Sequence, residues 1–137
     1  MSLEIIRLLF DSGLFVLIWM VQLVVYPSFT FYNPNNLKRW HDRYTRHITF
    51  IVMPLMLGQL AAIGVQLWEA KTWYTVLSGV FVFLLWGATF LKFVPLHNVI
   101  ASGNFEEKIL HDLVRYNWVR TGLWSVLLII SMISVLL

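Results

Sequence analysis

Four imidazoles and one guanidinium carry most of the chemical reach of this chain. His41, His47, His97 and His111 are its only histidines, and it has no cysteine. A neutral imidazole is the commonest metal ligand, a usual axial ligand of haem iron and the side chain best suited to moving protons near neutral pH. Without thiolates a bound metal would rely on these histidines and on oxygen ligands. His41, His97 and His111 are therefore the candidate metal ligands, and haem or a histidine-bound metal is the cofactor such a set would take. Spacing limits the idea: there is no H-x-x-H or E-x-x-H pair, and His41 and His47, six residues apart, cannot grip one ion from a regular helix. The plainer reading is interfacial histidines that bond to lipid head groups, water and loop carbonyls.

Arg120 offers a planar fork of donors that stays charged and binds an oxyanion in two places, which a lysine does not. Asn117, Thr121 and Trp124 lie on its helical stripe and supply a further donor, a hydroxyl and an aromatic wall. With Arg120 holding an oxyanion, His97 and His41 would be the proton-moving residues, and Asn98, Asn117 and Trp124 the residues that hold a cofactor or ring. The competing reading of Arg120 is an anchor for a lipid phosphate or a cap for carbonyls near Pro95.

These residues have to be positioned by helices in a membrane. Of the 137 residues, 59% are hydrophobic and 12% charged, a balance that a water-soluble domain of this size cannot surround with polar surface. A spanning helix needs about 20 mostly apolar residues to cross a hydrocarbon core of roughly 30 Å. Four stretches qualify, at about Leu8–Tyr26, Ile48–Trp68, Trp73–Val94 and Trp118–Leu137. The expectation is one all-α domain over residues 1–137, an integral membrane four-helix bundle. The first apolar stretch lacks an A-x-A-like cleavage site and is expected to be retained. Amphipathic extensions are predicted at Leu37–His47 and Phe105–Asn117, capped by Asn36 and Asn104. Glu69-Ala70-Lys71 reads as a tight turn, and Pro95 with Gly103 as the close of the third span.

Charge sets the orientation, because Lys and Arg concentrate in cytoplasmic loops. Lys38, Arg39, Arg43, Arg46, Lys92, Lys108, Arg115 and Arg120 fall on one side, and only Arg7 and Lys71 on the other. The chain is thus expected in the inner (cytoplasmic) membrane with both termini external and all four histidines on the inner side. Trp68 and Trp73 flank the outer turn, and Trp40 and Trp118 the inner boundary. The net charge of +3 belongs to these juxtamembrane residues and calls for lipid as the partner, not nucleic acid.

Polar residues within a span point to the bundle interior, so helical phase is informative. Glu4, Arg7, Asp11, Ile18, Gln22 and Tyr26 form one stripe of the first span. His41, Thr45, Ile48, Val52, Gln59 and Gln66 form one on the second, from which His47 stands roughly 120° away. Ser78, Leu85, Thr89 and Lys92 align on the third. The fourth offers two opposed stripes, His111, Arg115, Trp118 and Gly122 or Asn117, Arg120, Thr121 and Trp124. Arg7 and Asp11, one turn apart, read as a structural ion pair, the three glutamines as interhelical hydrogen bonds, and Lys92 as a snorkelling residue or a base.

Val25-Tyr26-Pro27, His41 with Thr45-Arg46, Pro54-Leu55-Met56, Val94-Pro95-Leu96-His97 and Asn117-Trp118-Val119-Arg120-Thr121 with Trp124 resemble a group of uncharacterised small bacterial four-span membrane proteins. More distantly, the chain is similar to the anthrone oxygenase-like membrane family, with its V-P-x-N-like end to the third span and W-x-x-x-H/N-x-x-R-like start to the fourth. That resemblance implies oxygenation of a polycyclic phenolic substrate, with His97, Asn98, Asn117 and Arg120 at the matched positions. Here His97 stands where that pattern tends to Asn, and Asn117 where His is frequent.

Two functions fit these readings. One is an oxidoreductase or oxygenase-like enzyme that acts on an amphipathic aromatic or quinone-like small molecule at the cytoplasmic membrane boundary. The other is a non-enzymatic four-helix bundle, a small transporter or an accessory subunit, with a homo-oligomer as one outcome and the Glu4–Tyr26 stripe as its contact surface.

Overall fold

The computed structural model describes residues 1–137 as four helices without a strand: α1 (Leu3–Phe31), α2 (Pro34–Glu69), α3 (Trp73–Ala101) and α4 (Glu107–Leu136). All four are long and apolar enough to cross a membrane, and they make an integral membrane four-helix bundle. α2 has 36 residues, which is about 54 Å of helix against roughly 30 Å of hydrocarbon. Its amphipathic first turns therefore extend beyond the apolar layer, as the sequence predicts. Trp40, Trp68, Trp73 and Trp118 are all exposed on the bundle surface, as belt residues should be.

Local chemistry sets where the helices start and stop. Asn33, not Asn36, caps α2: its side chain accepts from the Asn36 N–H at 2.9 Å. Pro34 supplies the pre-set φ of a first helical residue, so the cap lies three residues before the predicted one. Asn104 does not cap α4 either. Phe105 and Glu106 run on before the helix starts at Glu107, where an acidic side chain meets the positive end of the helix. A reciprocal pair, Thr72 with Thr75, caps α3. Pro95 does not end α3, which continues to Ala101. The turn beyond it uses Gly103 at φ +77°, a conformation that costs other residues a steric penalty.

Both helices that run toward Tyr26 and His97 contain a π-helical turn, Val21–Val25 in α1 and Thr89–Phe93 in α3, each ending two residues before a proline. Proline lacks an N–H, and the residue before it bonds one position further back instead, Tyr26 N to Val21 O and Val94 N to Thr89 O. Pro54 lies inside α2 without interrupting it.

The hydrogen bonds between α1 and α4 pair Trp19 with Ser125, Gln22 with Thr121 and Tyr26 with Arg120, a falling register that makes them antiparallel. α1 packs against α2 and α4, and α3 against the same two, so the helices form a ring in chain order. Leu14, Ile18, Met56, Ile63, Val82, Leu85 and Leu127 fill the middle. Near the end carrying both termini, Arg7 donates to Asp11 (3.2 Å), Gln66 (3.0 Å) and Ser78 (2.6 Å). Asp11 also accepts from Gln59 at 2.6 Å, and Gln59 from Trp124 Nε1 at 3.3 Å. Arg7 and Asp11 are 1% and 0% exposed, so the predicted ion pair ties all four helices. The α1 stripe from Arg7 to Tyr26 is buried inside the bundle, as helical phase predicts, and so does not offer the partner-contact surface of the non-enzymatic reading; only Glu4 of that set is exposed.

Candidate functional site

At the opposite end of the bundle all four helices contribute to a continuous hydrogen-bonded chain. Arg120 of α4 donates from Nη2 to Tyr26 Oη of α1 at 3.0 Å. Tyr26 Oη lies 3.0 Å from His97 Nε2 of α3, and His97 Nδ1 lies 2.7 Å from His41 Nε2 of α2. The two imidazoles are stacked, with centroids 4.9 Å apart. His41 is 1% exposed, whereas His47 is exposed and bonds to the Arg43 carbonyl, as helical phase predicts.

The π turn of α3 explains how His97 reaches this chain. A regular helix would carry the inward stripe from Thr89 to Lys92. The extra residue in the turn gives that place to Phe93, and Leu96, His97 and Ile100 then follow inward. Lys92 is turned out over the Tyr116 ring at 4.0 Å, which supports the snorkelling reading and removes it from the site.

Of the two stripes of α4, the one bearing Asn117, Arg120, Thr121 and Trp124 is buried. Arg120 is held on its far side by Asn117 Oδ1, which accepts from Nε at 2.9 Å and from Nη2 at 2.8 Å. Gln22 Oε1 fixes the amide by accepting from Asn117 Nδ2 at 3.0 Å, and it accepts also from Thr121 at 3.1 Å. The guanidinium rests on the Phe93 ring with its carbon 3.5 Å from the centroid. Only Nη1 is lightly engaged, with Thr89 Oγ1 at 3.4 Å.

Arg120, Tyr26, His97 and His41 border a cavity of about 370 Å³ that extends toward Trp124 and is walled mainly by aliphatic and aromatic side chains. The exposed residues of its wall, Thr49, Phe90, Val94 and Asn98, belong to α2 and α3 alone. The cavity thus opens sideways between these helices, toward lipid. Its volume lies at the small end of the roughly 300–1,000 Å³ of ligand pockets.

Three expectations need correction. His111 is not a ligand of any shared site: its side chain is 67% exposed and lies 3.8 Å from Glu107 one turn away. It sits on the α4 stripe that faces out. No three His, Cys, Asp or Glu side chains come together, and the facing nitrogens of His41 and His97 are bonded to each other. The residues therefore do not fit a three-histidine metal centre. Nor do they fit a bis-histidine haem, since His41 Nδ1 is the one nitrogen of the pair without a partner. Asn117 does not touch the cavity but positions Arg120 from behind it, while Asn98 stands at the mouth and Trp124 lines the interior.

Sequence reasoning missed Tyr26 as a site residue, along with Gln22, Thr89 and Phe93 as its supports. Tyr26 and Gln22 were detectable, because both lie on the polar stripe of α1. Phe93 was not, because the π turn displaces it. No family model, curated protein or solved structure matches the chain.

Proposed function

We propose that this protein is an oxidoreductase- or oxygenase-like membrane enzyme acting on an amphipathic aromatic or quinone-like molecule that enters from the lipid between α2 and α3. One observation carries the reading. Arg120 is 7% exposed, no carboxylate pairs with it, and its unsaturated Nη1 borders an apolar cavity. A buried unpaired guanidinium is costly in a membrane protein, and an oxyanion or polarised carbonyl on a ring would offset that cost while the apolar walls hold the ring. Arg120 holds the oxygen, Tyr26, bonded to Arg120, is the first proton carrier with His97 behind it, and Trp124 closes the far end of the ring space. The chain's own groups supply binding and proton transfer; electrons pass between the substrate and a separate acceptor or dioxygen. The similarity of Val94-Pro95-Leu96-His97 and Asn117 with Arg120 to the anthrone oxygenase-like pattern supports the same substrate class.

Titration of the purified protein with a hydroxynaphthoquinone, followed by its visible absorbance, tests this. Binding should be saturable, and Arg120→Lys should weaken it by an order of magnitude or more, about 1.4 kcal/mol, in a protein that remains folded. Unchanged affinity in a folded Lys variant, or no binding to the parent protein, would sink the reading.

The eight-to-two distribution of basic residues supports placing this site at the cytoplasmic face of the inner membrane with both termini external. A reporter fused after Leu137 should then read as external, and cytosolic activity of the fusion would reverse the orientation.

A further inference from the structure

The hydrogen bonds of the site have a direction. Arginine has donors only, so Tyr26 Oη accepts from Arg120. The phenol hydrogen then has one acceptor within reach, His97 Nε2. A neutral imidazole carries a single N–H, so His97 bears its proton on Nδ1 and donates it to His41 Nε2. Both rings are taken as neutral, since a further buried positive charge beside Arg120 would have only Asp42 to offset it, a carboxylate that is half-exposed and paired with Lys38. By the same rule His41 is protonated on Nδ1, which is buried and has no partner in the chain. The opposite order would strand both the phenol hydrogen and the His41 Nδ1 lone pair, one lost hydrogen bond more.

We infer that Tyr26, His97 and His41 form a one-way proton relay, set by Arg120 to take a proton from the hydroxyl of a ring compound in the cavity and release it beyond His41. The inference rests on the substrate class proposed above. In the transfer the ligand O–H breaks and the Tyr26 oxygen gains that proton. Tyr26 gives its own hydrogen to His97 Nε2, His97 passes its Nδ1 hydrogen to His41 Nε2, and His41 gives up its Nδ1 hydrogen to water. No electrons move, and the ligand is left as an oxyanion beside Arg120. The resting site is therefore a base, loaded to ionise a phenol, hydroquinol or enol, and it must be turned over before it can act again.

Two measurements on the full chain in lipid nanodiscs test the relay. Nitrogen NMR of isotope-labelled histidine, without ligand, should show both buried rings as Nδ1–H tautomers with a scalar coupling between His97 Nδ1 and His41 Nε2; H47Q and H111Q identify the two exposed rings. An Nε2–H tautomer at either buried ring in the parent protein would overturn the direction. A naphthol, whose oxyanion has its own absorbance, should ionise on binding and release one proton. In Tyr26→Phe, where Asn117 still holds Arg120, the naphthol should bind but ionise slower by about a hundredfold or more, the size of a lost general base. Ionisation at the parent rate in that variant, or binding of the naphthol as the neutral phenol, would also overturn the relay. Because the tautomers are read without ligand, the relay and the ligand reading fail separately: loss of all ring binding sinks the site, and wrong tautomers with intact binding sink only the relay.

Discussion

Two arginines are buried in this bundle, one toward each end, and the chain surrounds them in opposite ways. Arg7 spends its donors on a carboxylate, an amide and a hydroxyl from three helices, and it does not line the cavity that Arg120 borders. Arg120 leans on neutral oxygens and an aromatic face, keeps spare donor capacity at Nη1 and borders an open cavity. A charge matched inside the protein holds helices together. A charge left unmatched at a cavity wall stores the capacity to bind something else. Burial alone does not separate these roles; the partner list does.

The comparison breaks most sharply at Asp11. Asp11→Asn leaves Arg7 buried without a counter-charge and should cost about 3–5 kcal/mol, read as a large fall in the thermal midpoint in detergent. Replacing both partners by apolar residues, Arg7→Met with Asp11→Leu, should recover most of that loss. Arg120→Met should cost clearly less stability than Asp11→Asn, since it removes an unpaired charge. If the two variants destabilise equally, Arg120 is as structural as Arg7 and the contrast fails.

A smaller effect is expected one layer back. Asn117→Ala removes the amide that aims Arg120 and leaves Gln22 without one of its donors, a loss of about 1–3 kcal/mol. Its affinity for the hydroxynaphthoquinone should fall, although Asn117 does not line the cavity; affinity equal to the parent's would show that Arg120 needs no aiming. The smallest effects belong to the exposed histidines. His47→Gln and His111→Gln should each change stability by less than about 0.5 kcal/mol and leave ring binding alone, and a binding loss in either would return it to the site.

Composition and phase made much of this legible. Runs of apolar residues marked four spans, and the spacing of Arg7, Asp11, Gln22, Gln59 and Gln66 marked the faces that turned out to be buried. His41 was separable from His47 because α2 keeps a regular pitch between them. The illegible parts share one physical cause, a change of local register. The inward place given to Lys92 passed to Phe93 because a π turn shifts phase without a mark in the hydropathy. Asn36 and Asn104 were plausible caps by type, yet Pro34 and the non-helical Phe105 and Glu106 moved the starts of the helices. His111 was grouped with the other histidines by topology, which places residues at one end of a bundle but not on one side of a helix.

The two π turns have a consequence for descent. A π turn holds one residue more than the α-helical turn it replaces, so removing a single residue from Val21–Val25 or Thr89–Phe93 would leave a regular helix still long enough to cross the bilayer. Everything beyond it would swing by about 100°, carrying Tyr26 or His97 off the cavity wall. A lineage could therefore gain or shed this chemistry by one-codon insertions and deletions while hydropathy, span number and topology stay the same. Relatives with the same fold need not share the site, and the register ahead of Pro27 and Pro95 is the place to see which of them do.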